Sequence, residues 1–319
     1  MDAEALRARR EARRRAVRRR RAQIFGLIGA LAIAAVAIVA ISSGATRKSP
    51  SVPSSANTAP GKPTAGHSTS TPSAGPGGRP ANTAVPILMY HVIAAPPPGA
   101  PFPGLYVPPA EFAEQMQALK NAGWHAVTLD QVAANWRTGA SLGAGKPIVL
   151  TFDNGYQSQF TQALPVLQRL GWVGDENIQL SGLPPSQGGL GEAEVRGLIA
   201  AGWELDTQGF SHADLITLGS ERLHYEVAVT RGALQRRYHV PVNWFCYPSG
   251  HYDSTVIAAV KGAGYAGSTT VVPGWASPSG DAYRLPRLRV LGGTSGQALL
   301  GQVASTREAP AAPSSYNGG

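Results

Sequence analysis

The residues best suited to chemistry close one apolar segment, Lys146–Tyr156. Its run of apolar and β-branched side chains ends in Asp153, Asn154 and Gly155. A buried parallel strand delivers polar side chains in this way to the rim of an α/β barrel, where chemistry is usually done. The same pattern also fits a strand that ends in an ordinary Asn-Gly turn. The other polar residues of the chain favour the first interpretation.

Polar residues also follow three other strand-like segments. His91 ends the first of them, and Asp206, Gln208 and His212 follow another. A third is followed by Tyr247-Pro248-Ser249-Gly250. Because the carboxyl ends of parallel strands meet on one face of a barrel, we expect these residues to surround one site.

The elements that carry these residues alternate between strand-like and helix-like patterns from Val85 onward. Apolar residues stand at helical spacing in segments such as Ala110–Ala122, which is followed by Gly123 as a stop signal. Short apolar runs lie between the helical segments. About seven strands are visible, which predicts one parallel, barrel-like α/β domain over residues 85–303.

The net charge of +9 comes mainly from an amino-terminal tail. Residues 1–22 hold ten arginines against Asp2, Glu4 and Glu11, a net charge of +7, which leaves +2 for the rest of the chain. Residues 23–42 follow without a single charged side chain and are long enough to span a bilayer. The arginines predict a single-pass membrane anchor with a cytoplasmic amino terminus and an exported domain. A cleaved signal peptide, which would release a secreted protein, is the alternative.

Composition also predicts the segments that flank the domain. Residues 43–84 are rich in Ser, Thr, Pro, Ala and Gly, cannot bury enough apolar surface to fold, and predict a disordered stalk. Residues 304–319 predict a disordered carboxyl-terminal tail for the same reason. The single cysteine, Cys246, excludes an intrachain disulfide and predicts a small buried side chain. Because the membrane accounts for the basic tail, no nucleic-acid partner is predicted.

Six segments, taken in order, resemble motifs of the polysaccharide deacetylase family, also called the NodB-homology domain or carbohydrate esterase family four. The six segments are Val85–His91, Phe112–Leu129, Thr151–Gly155, Glu204–Leu215, Phe245–Asp253 and Tyr283–Val290. The third, Thr-Phe-Asp-Asn-Gly, differs from the family's TFDDG motif at one position. The resemblance implies a distorted (β/α) barrel of about seven parallel strands that removes acetyl groups from N-acetylated sugars.

The resemblance also implies roles for individual residues. In this family a divalent metal, zinc or a similar ion, polarises the amide carbonyl and lowers the pKa of a bound water. Asp153 stands at the position of the general base, and Arg287 could orient it or bind substrate. The family's late histidine, which protonates the leaving amine, is missing, so His91 and His251 are the candidates for that role. The predicted substrate contacts are Tyr156, Tyr247, Pro248 and Gly250.

The metal-ligand positions depart from the family pattern. Asn154 stands where the resemblance places an aspartate, and Gln208 stands where it places a histidine; His212 matches the second histidine. A site of two carboxamides and one imidazole should bind zinc poorly, because carboxamides carry no charge.

Asp206 suggests a rearranged metal site. Positions 206 and 208 point to the same face if this segment is extended. Asp153, Asp206 and His212 would then replace the usual ligands. Alternatively, Asp206 caps a turn or pairs with an arginine.

Two functions are compatible with these residues. The first is a membrane-anchored, extracytoplasmic hydrolase that removes N-acetyl or O-acetyl groups from a cell-envelope polysaccharide or peptidoglycan. The second is a glycan-binding protein that kept the groove and lost the chemistry. Retention of Asp153 and His212 favours the hydrolase, whereas the substitutions at 154 and 208 favour the binding protein.

Overall fold

The computed structural model describes residues 81–183 and 188–318. The predicted Arg-rich tail, the predicted anchor and nearly all of the predicted stalk lie outside these residues. Within the two described ranges, none of the helices has the length and apolar character needed to cross a membrane.

One mixed sheet forms the centre of the described domain. Its strand order is β7-β6-β5-β4-β3-β1-β8, with β2 also paired to β3 and β9 to β1. All of these pairs are parallel except β1 with β8. The strands are β1 (Val85–Tyr90), β2 (Trp124–Val127), β3 (Lys146–Asn154), β4 (Asp175–Ile178), β5 (Glu204–Thr207), β6 (Trp244–Cys246), β7 (Gly267–Thr269), β8 (Trp275–Ala276) and β9 (Leu288–Arg289).

The strands β2 and β4 share one edge of β3. Residues 146–149 of β3 pair with β2, and residues 151–154 pair with β4. Strand β1 occupies the opposite edge of β3. The end of β2 therefore meets the beginning of β4 inside the sheet.

A closing segment, Leu285–Arg289, connects the two ends of the curled sheet. Leu285 forms a parallel bridge with Thr269 of β7, and Leu288 pairs in parallel with Leu88 of β1. The predicted distorted barrel of about seven parallel strands therefore agrees with the structure.

Helices cover the outside of the sheet. One of them, α2, begins with a capping box between Thr128 and Gln131 and ends at Gly139 in the left-handed conformation. Residues 220–238 form two helices, α5 (Ser220–His224) and α6 (Thr230–Tyr238), joined by a π-helical turn. The helices are α1 (Pro109–Asn121), α2 (Leu129–Thr138), α3 (Leu164–Leu170), α4 (Glu192–Ala200), α5 (Ser220–His224), α6 (Thr230–Tyr238), α7 (Ser254–Gly262) and α8 (Gly296–Ser305).

Alternation along β3 separates an apolar outer face from a partly polar interior. Leu150 and Phe152 belong to the apolar core that includes residues of the helices. Val149 belongs to a different apolar cluster, and Thr151 and Asp153, which point the same way, are buried and polar. The polar part of the barrel interior is where the chemistry-bearing residues meet.

The carboxyl-terminal residues do not match their predicted disorder. Tyr316 and Tyr252 exchange two backbone hydrogen bonds of 2.8 Å. The Tyr252 hydroxyl donates to the carbonyl of Pro313 at 2.8 Å. Composition did not indicate this packing, because a single aromatic residue, Tyr316, anchors an otherwise small-residue segment.

Replacement of Gly267 by alanine is expected to destabilise the domain by about 1–3 kcal/mol. A Cβ at this position of β7 would lie 2.3 Å from the carbonyl oxygen of Ala282 and 2.5 Å from the Trp244 ring. Urea denaturation measures the change. Gly262→Ala is the control, because a Cβ there meets nothing within 4 Å. An equal effect of the two substitutions would contradict the close packing at Gly267.

Candidate active site

Asp153 is fixed at the carboxyl end of β3 by an arginine from the closing segment. Arg287 donates from Nη1 to Oδ1 at 2.8 Å and from Nη2 to Oδ2 at 2.9 Å. Asn177 of β4 donates to Oδ1 at 2.9 Å. Such a two-point contact fixes the plane of the carboxylate as well as its position.

Arg287 is fully buried, and each of its five N–H groups has an acceptor. Besides the two Asp153 oxygens, the acceptors are the Thr270 carbonyl at 2.8 Å, the Thr151 hydroxyl at 2.9 Å and the Cys246 sulfur at 3.2 Å. A buried guanidinium needs this complete satisfaction, because an unpaired donor in the interior is costly. Arg287 thus contacts both oxygens of Asp153, and its predicted role in the reaction stays a prediction.

The Arg287 charge decides the protonation of Asp153. Burial alone would raise the pKa of this carboxyl, but the charge and hydrogen bonds of Arg287, together with His91 and Asn177, lower the pKa to about 2. Asp153 is therefore ionised at neutral pH. Burial raises the pKa of the Cys246 thiol to about 12, so this buried residue carries no thiolate.

His91 lies beside the carboxylate, one residue after β1. Its Nε2 is 4.0 Å from Oδ2 of Asp153. Burial lowers the pKa of His91 to about 4, although the Asp153 charge acts in the opposite direction. The imidazole is therefore neutral at neutral pH and can accept a proton. His251 instead pairs with Asp214 at 3.0 Å.

The burial of His91 is expected to make the domain less stable in mildly acidic solution. The pKa of an ordinary histidine is 6.5, whereas the pKa of His91 in the folded protein is about 4. The unfolded chain therefore binds this proton more readily, and the folded state loses about 3 kcal/mol as the pH falls from about 6.5 to about 4. Urea titrations of the wild type and His91→Gln across this pH range measure the effect.

The difference between the two proteins isolates His91 from other titrating groups. Burial also raises the pKa of Glu204 to about 7, so its contribution to stability is lost as the pH rises from about 4.5 to about 7. This opposite trend is common to the wild type and His91→Gln. Equal pH slopes in the two proteins would show that His91 is not held neutral.

His212 lies in a tight turn after β5. Its backbone has a φ of 56°, in the left-handed region. The buried Glu226 accepts the N–H groups of Phe210 and Ser211 at 2.7 and 2.9 Å, which fixes the turn just before His212. Burial lowers the pKa of His212, whereas the Asp153 charge raises it. His212 is therefore a neutral imidazole within the field of Asp153.

The residues at the family's metal-ligand positions do not fit a zinc ion. The Oε1 atom of Gln208 accepts the backbone N–H of Asn154 at 3.0 Å, so this carboxamide oxygen is already engaged. Asn154 brings no charge, and both Asp153 oxygens are bound by Arg287. His212 is the one remaining strong ligand of the predicted set, and zinc sites use three or four.

Asp206 does not join Asp153 and His212. Its Oδ1 accepts the backbone N–H of Trp244 at 2.9 Å, and its carboxylate lies with those of Asp175 and Glu204. Within the described ranges, this is the one group of three acidic, histidine or cysteine side chains close enough to share a metal ion. The predicted rearranged site of Asp153, Asp206 and His212 does not match this placement.

The predicted substrate contacts divide into one surface residue and one buried turn. Tyr156 borders a cavity of about 420 Å³ at the rim. Tyr247 is buried, and its hydroxyl donates to the Tyr283 carbonyl at 2.9 Å, so its ring is not presented to a sugar. Pro248 and Gly250 are also buried, which makes this turn a support for the rim. The prediction of sugar contacts at Tyr247, Pro248 and Gly250 does not agree with the structure.

Asn177 and Thr151 take part in the site but were not predicted. Asn177 binds Asp153, and Thr151 binds Arg287. The one sequence signal for them is strand alternation. Thr151 lies two residues before Asp153 on β3, and Asn177 lies two residues after Asp175 on β4, so each faces the barrel interior. A carboxylate fixed by an arginine, with a neutral imidazole beside it at the carboxyl ends of parallel strands, provides groups that can accept and donate a proton in hydrolysis.

Comparison with known proteins shows similarity to polysaccharide deacetylases. Residues 142–268 match the family model for polysaccharide deacetylase. The putative polysaccharide deacetylase YxkH of Bacillus subtilis is 28% identical over 224 residues, which is 70% of this chain and 77% of that protein. A poly-beta-1,6-N-acetyl-D-glucosamine N-deacetylase of Escherichia coli is 41% identical over 59 residues, 18% of this chain and 9% of that protein.

A solved structure extends this similarity. The deacetylase PplD of Streptococcus pyogenes, in complex with acetate, superposes with a TM-score of 0.64 at 25% identity, covering 70% of this chain and 99% of that one. The chain is therefore similar, in sequence and in fold, to polysaccharide deacetylases over about 70% of its length.

Proposed function

We propose that this protein removes acetyl groups from an N-acetylated glycan of the cell envelope. The observation that carries the proposal is the group of Asp153, Arg287 and His91 at the rim of the barrel. The name of the Escherichia coli relative specifies an N-acetylglucosamine polymer as its substrate, which supports an N-acetylated sugar here. An O-acetyl group would undergo the same attack and is the second substrate class to test.

The chain's own residues can supply the proton transfers of this reaction. The ionised Asp153 acts as the general base for a water molecule, whose oxygen attacks the acetyl carbon. The neutral His91, 4.0 Å away, then takes this proton from Asp153 and is stabilised as an imidazolium by the carboxylate, which is ionised again. When the C–N bond breaks, His91 returns the proton to the sugar nitrogen, and the products are acetate and a free amine.

The proposal places the domain outside the cytoplasm. The arginines of residues 1–22 and the apolar run of residues 23–42 support a single-pass anchor with a cytoplasmic amino terminus. Residues 43–84 would then carry the domain towards the polysaccharide or peptidoglycan. Cleavage after the apolar run would give a secreted form of the same domain.

A glycan-binding protein without activity is the second candidate. It is favoured by Asn154 and Gln208, whose carboxamide side chains do not fit the family's metal site. Such a protein would bind the same glycan through the rim and leave its acetyl groups in place. The two candidates therefore differ in a single observable, the release of acetate.

Acetate release by the purified full-length chain decides between them. Acetylated chitooligosaccharides and peptidoglycan fragments would be incubated with EDTA or with zinc, cobalt, nickel or manganese. Release above that of heat-denatured protein supports the hydrolase. Glycan binding without release under every condition would establish the non-catalytic protein. Asp281→Asn is the control for substitution of Asp153. It also removes a carboxylate, but this half-buried residue pairs with Arg284 away from Asp153.

A further inference from the structure

A second polar cluster lies deeper in the barrel and takes no part in the proposed chemistry. It consists of Asp175, Glu204 and Asp206, called here the interior triad. One carboxylate oxygen from each lies within 4.8 Å of the others. The register places Asn177 between Asp153 and Asp206 across the sheet, so the triad is separate from the candidate active site.

Each carboxylate of the triad is anchored through one oxygen by a backbone N–H group. Leu129 donates to Oδ2 of Asp175 at 3.0 Å, and Asp130 donates to Oε2 of Glu204 at 3.0 Å. The third donor is the backbone N–H on Oδ1 of Asp206 described above. Leu129 and Asp130 begin helix α2. They reach the triad because the end of β2, which precedes this helix, meets the beginning of β4. Two chain segments, the beginning of α2 and strand β6, therefore hold the three side chains in place.

The second oxygen of each carboxylate has no such partner. Asp175 Oδ1, Glu204 Oε1 and Asp206 Oδ2 are buried and make no hydrogen bond within residues 81–183 and 188–318. The side chains of Asp175 and Asp206 are completely buried. None of the three forms an ion pair with a lysine, arginine or histidine of the described ranges.

Such an arrangement favours neutralisation of the three carboxylates, either by protons or by a bound cation. An unpaired buried carboxylate costs several kcal/mol, and three of them repel one another in addition. A polar group left without a partner in the interior usually marks a bound water, an ion or a functional role. Oxygen ligands alone are the set that hard divalent cations such as calcium, magnesium and manganese prefer, whereas zinc prefers nitrogen and sulfur.

We propose that the interior triad binds one hard divalent cation as a structural ion. Calcium–oxygen distances of about 2.3–2.6 Å allow ligand atoms up to about 5 Å apart, so the separation within the triad is compatible with a shared ion. The cation joins β4, β5 and the beginning of α2, three elements that otherwise meet at a break in the sheet. It does not contact the water or the substrate of the proposed deacetylation, so the two proposals succeed or fail independently.

Terbium luminescence tests the site on the full-length chain after treatment with EDTA. Trp244 is a suitable sensitiser, because its backbone binds Asp206 and its indole Nε1 donates to Asp130 at 3.1 Å. Titration with Tb³⁺ is expected to give tryptophan-sensitised emission that saturates at one equivalent and is displaced by Ca²⁺ or Mn²⁺. Asp175→Asn and Asp206→Asn should each weaken Tb³⁺ binding by at least roughly tenfold. Glu192→Gln, an exposed carboxylate on α4, should leave it unchanged.

Thermal unfolding gives a second readout, because the difference in melting temperature between the wild type and Asp206→Asn should change sign when Ca²⁺ is added. Without metal, Asp206→Asn should melt at a higher temperature than the wild type, since it removes one repelling charge. With Ca²⁺ roughly 100-fold above its Kd for the wild type, the wild type should gain about 5 °C and the variant at most about half of that. If Asp206→Asn does not fold, Glu204→Gln replaces it, because Glu204 is the least buried of the three.

Either of two results would overturn the proposal. One is the absence of sensitised emission and of any metal-dependent shift in the wild type, which would mean that shared protons neutralise the triad. The other is Tb³⁺ binding that is unchanged by all three substitutions in the triad. Acetate release with or without added metal bears on the deacetylase proposal alone.

Discussion

Replacement of Arg287 by methionine is expected to remove about 3–5 kcal/mol of stability, which is a large part of the about 5–15 kcal/mol of an ordinary domain. The substitution leaves the Asp153 carboxylate buried without its partner. Asp153→Asn should cost a similar amount, because it leaves the buried guanidinium unpaired. The double variant should be more stable than the sum of the two single losses predicts, since it contains neither charge. Urea denaturation of the wild type and the three variants measures this coupling.

Arg284 and Asp281 provide the matched control for the buried pair. They form the same kind of ion pair at 2.9 Å, but their side chains are 27% and 29% exposed. Arg284→Met and Asp281→Asn should each cost no more than about 1 kcal/mol. If the losses at Arg287 and Asp153 were equally small, or strictly additive, the pair would not be the support of the barrel interior that its contacts indicate.

Loss of the Asp153 carboxylate is expected to reduce acetate release by at least roughly a thousandfold, as removal of a general base does. The double variant Asp153→Asn with Arg287→Met allows this to be measured in a folded protein, even if Asp153→Asn alone unfolds. Near-ultraviolet circular dichroism establishes folding, and acetate release and glycan binding are measured on the same sample.

Glycan binding separates a chemical role of Asp153 from a structural one. The double variant should still bind the glycan, because Tyr156 and the rim cavity are unchanged by these substitutions. His91→Gln should also bind and should release acetate more slowly than the wild type. Release by the double variant at the wild-type rate would rule out Asp153 as the base, whatever its position.

The fold and part of the candidate site could be predicted from the sequence, because both depend on local patterns. The alternation of apolar runs and helical spacing indicates the parallel barrel. Asp153 and His91 follow apolar runs directly, and the ends of parallel strands must meet at one rim. Their approach to 4.0 Å in the structure follows from these two facts.

The placement of Asp206 could not be predicted, because it depends on where a strand ends. The expectation that 206 and 208 share a face assumes an extended segment through both positions. Strand β5 ends at Thr207, and Gly209 has a φ of 85°. Gln208 is therefore outside the strand and at the rim, whereas Asp206 points into the barrel. Asp175 and Glu204 lie near Asp206 because of the pairing register of β4 with β5 and the alternation along β5. Local sequence does not specify that register.

The roles of Tyr247 and of the carboxyl-terminal residues could not be predicted from sequence patterns either. An aromatic residue at the end of a strand can face a ligand or a core, and the choice depends on distant packing. Tyr247 stacks on Tyr252 with ring centroids 4.9 Å apart. Tyr316 pairs with the same Tyr252 from more than 60 residues away. No local pattern encodes either contact.

The closing segment also has a consequence for the synthesis of the protein. Arg287 and Asp153 are separated by 134 residues, and the ribosome completes Arg287 only after all eight of the strands β1–β8. Until then β1 lacks its neighbour β9, so a nascent chain exposes an unpaired strand edge. The Asp153 carboxylate also lacks the Arg287 charge that it pairs with in the folded domain. The domain should therefore acquire a protease-resistant form only when translation has passed the closing segment, and chains stalled before residue 285 should depend on chaperones for their solubility.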